Sequence, residues 1–78
     1  MKIKIIKPEK LVFEGDARSV QFPGIDGSFA VLNSHAPMIA ALGKGDICIT
    51  NEEGIEALFE INGGVAEIKN NDILVLAE

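Results

Sequence analysis

The sequence predicts an all-β fold, a small sandwich or barrel, on three observations. Apolar and polar residues alternate with a period of two, the alternating runs are rich in β-branched residues, and turn-forming residues separate them at short intervals. Near the start, "KIKII" sets Ile3 and Ile5 on one face and Lys2 and Lys4 on the other. "RSVQF" sets Arg18, Val20 and Phe22 against Ser19 and Gln21. "IEALFEI" is the cleanest case, with Ile55, Ala57, Phe59 and Ile61 opposite Glu56 and Glu60. "DILVLA" (72–77) is apolar on both faces, which predicts a strand deep within the fold.

Between these runs, Asp26-Gly27 is the strongest hairpin signal, because glycine accepts the positive φ of a primed turn. "GKGD" (43–46), "NEEG" (51–54) and Asn70-Asn71 are further turns. Gly63-Gly64 interrupts an apolar run and predicts a bulge or a close backbone approach. "APMIAAL" (36–42) leaves a short helix and a strand equally open, since seven residues are too few for periodicity to decide.

The 78 residues make one domain, 1–78, with no repeat, linker or low-complexity tract. A chain this short buries only about 60% of the surface it exposes when unfolded. Its single cysteine, Cys48, rules out an intramolecular disulfide, and no Cys/His cluster has zinc spacing. Cys48 lies in the alternating "DICIT", where it serves as a small apolar side chain. Small domains without such staples gain stability by docking onto something else. Seven basic and twelve acidic residues give a net charge of −5. With scattered cations and neither Trp nor Tyr, nucleic-acid binding is not expected. The N-terminus lacks the unbroken apolar run of a signal peptide, and nothing approaches a membrane span of about 20 apolar residues. A soluble, cytoplasmic protein is the expectation.

The candidate chemistry is concentrated in "PGIDGSFAVLNSHAP" (23–37), which holds the only histidine. Ser34, His35 and Asp26 or Asp46 supply the residue types of a hydrolase triad, but there is no G-x-S-x-G elbow. Adjacent residues of an extended chain point to opposite faces, so Ser34 cannot readily bond to His35. A triad is made by geometry rather than composition, and His35 reads as a loop residue. Gly24, Gly27, Gly43 and Gly45 are turn glycines, and no glycine-rich loop runs into a helix to hold phosphate. No catalytic residue, cofactor or metal is expected. What remains is surface: Ile25 on an otherwise polar turn, and Met38, Ile39 and Leu42 after the histidine, fit a modest docking surface.

Taken together, "PEKLVFEG" (8–15), "FPGIDGSFAVLNSHAPMIAALGKGDI" (22–47) and "NGGVAEIKNNDILVLAE" (62–78) resemble the epsilon subunit of F-type rotary ATP synthases, over its N-terminal β-sandwich. The resemblance covers essentially the whole chain. It implies a sandwich of two small antiparallel sheets, which makes "APMIAAL" extended. It implies a non-catalytic rotor component of the central stalk, at the cytoplasmic face of the bacterial inner membrane, touching the membrane only through the complex. The partners it implies are the gamma subunit and the c-ring. Gamma would face Lys7 and His35, with Met38, Ile39 and Leu42 nearby. The c-ring would face Ile25, Asp26, Gly27, Ser28 and Phe29, plus Asn33 and Ser34.

Three departures qualify that picture. Many relatives carry Pro-Gly where this chain has Asn33-Ser34; asparagine tolerates a left-handed turn and is expected to keep the bend. Ser28 stands where several relatives have an acidic residue, with Asp26 as a substitute. The chain ends at Glu78, after its last strand, so no C-terminal helical hairpin is expected, and with it neither ATP binding nor an inhibited state. The rival is a carrier domain of the biotinyl or lipoyl type, also a small β-sandwich. It needs a lysine at a hairpin tip within Met-Lys-Met or Asp-Lys-Ala, a context that Lys44 and Lys69 lack.

Overall fold

The alternation in the sequence becomes nine strands and no helix in a computed structural model that describes residues 1–78. They are β1 (Lys2–Lys7), β2 (Lys10–Asp16), β3 (Ser19–Phe22), β4 (Phe29–Leu32), β5 (Met38–Leu42), β6 (Gly45–Thr50), β7 (Glu56–Ile61), β8 (Gly64–Lys69) and β9 (Asp72–Ala77). One sheet has the order β2-β1-β9-β8-β5 and the other β4-β3-β6-β7. All pairs are antiparallel except β1 and β9, which run side by side from Lys2 opposite Asp72 to Ile6 opposite Leu76.

The sheets face one another across an apolar core. Ile3 and Ile5 from β1, Val20 and Phe22 from β3, Ile47 and Ile49 from β6, and Ile73 and Val75 from β9 are all buried. No polar side chain is buried with them, so the core carries no unpaired desolvated group. Phe22 stacks on Phe29, its cross-strand neighbour in the four-stranded sheet, with ring centroids 5.4 Å apart, and Phe13 meets Phe59 at 5.1 Å from one sheet to the other. Removing a buried isoleucine side chain such as that of Ile47 would cost about 2–5 kcal/mol.

"APMIAAL" is extended, since Met38–Leu42 pairs with β8 from Met38 opposite Ile68 to Leu42 opposite Gly64. Gly63-Gly64 is a close backbone approach, as expected. A Cβ on Gly64 would collide with the carbonyl oxygen of Leu76 on β9. Two expectations need correction. The two-residue primed turn lies at Asn70-Asn71, with φ of 50° and 62°, and not at Asp26-Gly27, which sits in a longer connection. Asparagine is among the few residues other than glycine that tolerate this left-handed conformation. β9 is central but covered on one side only: Ile73, Val75 and Ala77 are buried, while Leu76 is 52% exposed. A period of two identifies which residues share a face, not whether anything covers it.

Candidate functional site

The residues singled out by the sequence lie mainly around β4 and β5, the edge strands on one side of the sandwich. The connection from β3 to β4 is a tight loop built from backbone contacts. Gly27 N donates to Gly24 O at 3.1 Å, and Gly27 takes a φ of 125°. A Cβ on Gly24 would stand 2.5 Å from Gly27 O and 3.0 Å from the Phe29 ring, so only glycine allows this closure. The loop is then tied to the neighbouring sheet. Ile25 N donates to Ala41 O at 3.0 Å, and Gly43 N donates to Pro23 O at 2.7 Å. The result presents Ile25, 65% exposed, on a braced turn with Asp26, Gly27 and Ser28 also exposed. Phe29 turns partly inward onto Phe22 and forms the base of the turn.

The connection from β4 to β5 holds its shape with side chains instead. Ser34, not Asn33, takes the left-handed conformation, with φ of 64°. Its backbone N–H donates to Asn71 Oδ1 at 2.9 Å. Asn33 Oδ1 accepts from the N-terminal amine at 3.2 Å, which pins the first residue to the same loop. His35 is half-buried, and its Nδ1 lies 2.7 Å from the carbonyl oxygen of Ala36, suited to donation from that nitrogen. No hydrogen bond joins His35 to Ser34 or to a carboxylate. Nowhere do three His, Cys, Asp or Glu side chains converge as metal ligands. Two concavities are open depressions on the outer face and edge of the five-stranded sheet.

The structure does not gather the expected interface residues into one patch. Along β5, Met38 and Leu42 point inward: Met38 packs against the core, and Leu42, 3% exposed, belongs to it. Leu42 therefore has no side chain left to offer a partner. Ile39 points outward and is 72% exposed, the most exposed large apolar side chain in the chain. Lys7 lies at the far end of β1, its Nζ 3.5 Å from Glu60 O on the opposite sheet, away from His35. Ile25–Ser28 and Asn33-Ser34 sit at opposite ends of β4, roughly 13 Å apart along a four-residue strand. What sequence reading missed is the outer face of the five-stranded sheet, where Leu11, Val65 and Leu76 stand exposed. The signal for it was the second apolar face of "DILVLA".

Comparison with known proteins agrees with this architecture. The family described as the ATP synthase Delta/Epsilon chain, beta-sandwich domain, matches residues 1–78. The ATP synthase epsilon chain of Chlorobium limicola is 39% identical over 77 residues, covering 99% of this chain and 88% of that one. The epsilon chain of Leptospira interrogans is 38% identical over 78 residues, and there the chain spans 61% of the relative's length. Among solved structures, a chain of the Euglena gracilis mitochondrial ATP synthase superposes with a TM-score of 0.90 at 16% identity. That match covers 96% of this chain and 48% of the Euglena one. A chain from the central stalk and c-ring of the Tetrahymena thermophila enzyme gives 0.76 at 17% identity, covering 97% of this chain and 61% of that one. At such identities these two likenesses speak for the fold. No helix here is long and apolar enough to cross a membrane. By its full-length family match and its sequence identity to epsilon chains, the protein belongs to the delta/epsilon chain β-sandwich family of ATP synthases.

Proposed function

We propose that the chain works as a non-catalytic rotor subunit of an F-type ATP synthase, at the cytoplasmic face of the membrane, joining the gamma subunit to the c-ring. The observation that carries this reading is the family match across all 78 residues. The physical demand on such a part is torsional stiffness, because compliance between ring and stalk would absorb rotation. The fold suits that demand. Of its 48 backbone hydrogen bonds, 38 lie within the strand ladders, and of the two connections flanking β4 one is braced to β5 and the other to the β8–β9 turn. Close packing of the core resists shear in the same way.

The c-ring loops would lie along the β4 edge, touching the Ile25–Ser28 turn at one end and Asn33-Ser34 at the other. Asp26 supplies the acidic group on that turn in place of Ser28. Gamma would dock where Ile39 projects from β5, with His35 beside it. Lys7 is remote from both, so gamma reaches it only by running the length of the sandwich. Binding energy at such an interface concentrates in a few apolar anchors, and Ile39 is the most exposed large apolar side chain on this side of the molecule.

The test is an equilibrium titration of purified gamma with the wild-type chain and with Ile39→Asp. Because Ile39 is outside the core, the variant should stay folded, losing only the modest cost of a second carboxylate opposite Glu67. Its affinity for gamma should fall by about tenfold or more, as expected for charging an apolar anchor. Unchanged affinity would move the gamma contact away from β5.

A further inference from the structure

The chain holds two pairs in which glycine follows Asp or Asn, Asp26-Gly27 and Asn62-Gly63, and the fold treats them differently. Ring closure between such a side chain and the next residue needs a main-chain nitrogen free to attack and no Cβ beside it to obstruct. Glycine meets the second need at both pairs. Only one meets the first. Gly27 N donates to Gly24 O at 3.1 Å and is engaged in its turn. Gly63, between β7 and β8, donates to no acceptor of the chain, although the residue is buried. A buried N–H without a partner is a cost to the fold.

The five asparagines divide in the same way. Asn33 Oδ1 accepts from the N-terminal amine, Asn51 Oδ1 from the N–H groups of Glu53 and Ile55, and Asn71 Oδ1 from that of Ser34. Asn70 is followed by Asn71, whose Cβ stands beside the nitrogen that would attack. Asn62 is exposed, its side-chain amide makes no hydrogen bond, and its neighbour is both unhindered and unbonded.

We propose that Asn62 is a deamidation site, at which Gly63 N attacks the side-chain amide carbon and the residue becomes aspartate and isoaspartate. Asparagine is among the thermolabile residues, and this is the place where the fold leaves one unguarded. Water is the only co-reactant. Gly63 N loses its proton to solvent base and bonds to Asn62 Cγ; the Cγ–Nδ2 bond breaks, and ammonia leaves carrying a proton. The succinimide that remains has no hydrogen on its nitrogen, so the unpaired donor disappears while the ring lasts. Water then opens the ring at Cγ, giving aspartate, or at the main-chain carbonyl carbon, giving isoaspartate with the chain routed through the former side chain. The net change exchanges NH for O, and nothing is oxidised or reduced.

The fold makes the two products unequal. Asn62 N donates to Glu78 O at 3.4 Å, and Glu78 N donates to Gly63 O at 2.9 Å, so two bonds clip this connection to the end of β9. Aspartate keeps that backbone and adds one negative charge beside Glu78. Isoaspartate inserts a carbon between the two clipped groups, and both bonds cannot then be kept. The neighbouring backbone has no slack to give, since a Cβ on Gly64 would already collide with Leu76 O. The isoaspartate form is therefore the less stable of the two.

The test is incubation of the folded 78-residue chain at mildly alkaline pH, read by peptide mass spectrometry and by methyl transfer from an isoaspartate-specific methyltransferase. Asn62 is expected to react about tenfold or more faster than Asn33, Asn51 or Asn71, whose groups must first break a hydrogen bond. The rate should rise with pH, because the attacking nitrogen must lose its proton. In urea every asparagine is freed, and the folded rate at Asn62 should lie within about tenfold of the rate measured there. Asn62→Gln, which can close only a larger ring and does so slowly, should stay folded and unmodified. The isoaspartate form, separated by ion exchange, should melt below the aspartate form. An Asn62 that survives in the folded chain while it reacts in urea would overturn the proposal, as would folded-state rates at Asn33, Asn51 or Asn71 equal to its own.

Discussion

The two connections that flank β4 reverse the chain at either end of the same edge strand, yet they are built from different materials. Between β3 and β4 the shape is held by backbone: a glycine whose missing Cβ admits Gly27 O, and two main-chain bonds to the Ala41–Gly43 segment. Between β4 and β5 it is held by side chains: two asparagine amides reach the backbone of residues far away in sequence, and Ser34 takes a conformation that glycine would adopt at less cost. A backbone-built loop tolerates almost no substitution at its closest point. A side-chain-built loop loses one bond at a time.

That difference can be broken at its strongest point first. Gly24→Val puts branched carbons where Gly27 O and the Phe29 ring already stand, and is expected to cost about 2–3 kcal/mol. In a domain of this size that lowers the thermal midpoint by roughly 10 °C or more, read by circular dichroism. A midpoint within a degree of wild type would mean that the turn opens freely and is not braced. Asn71→Ala removes the acceptor of the Ser34 N–H and places alanine at φ of 62°. About 1–2 kcal/mol should be lost, measured by urea unfolding with an unchanged slope. The smallest effect has the opposite sign. Ser34→Gly relieves the left-handed strain while adding freedom to the unfolded chain, for a net gain of about 0.5 kcal/mol. A loss there would show that the serine side chain holds the loop.

The same contrast explains what could be read in the sequence. Main-chain geometry that demands glycine leaves a mark, so Gly63-Gly64 and the glycines of 24–27 were visible as constraints before any fold was known. The alternation of Ile3 and Ile5 against Lys2 and Lys4 likewise names a buried face directly. Bonds from asparagine side chains to distant backbone leave no such mark. Nothing in "LNSHAP" shows that Asn71, 37 residues away, secures Ser34. Nor does a doubly apolar strand such as "DILVLA" reveal that its second face is open, because exposure depends on what neighbours supply. Met38, Ile39 and Leu42 read as one apolar group for the same reason, and the pleat of β5 then divides them, sending Ile39 out and the other two in. For "APMIAAL" itself, residues left helix and strand undecided, and the family resemblance correctly supplied the strand.

The proposed role makes this chain a rigid wedge clasped by two neighbours, and recovery of that assembly from native membranes examines the proposal most directly. Affinity-tagged chain, captured after gentle detergent extraction, is expected to bring down gamma together with the c-ring, and the Ile39→Asp form to bring down markedly less gamma while remaining folded. A wild-type chain that emerges folded but alone, with neither gamma nor the ring, would contradict it.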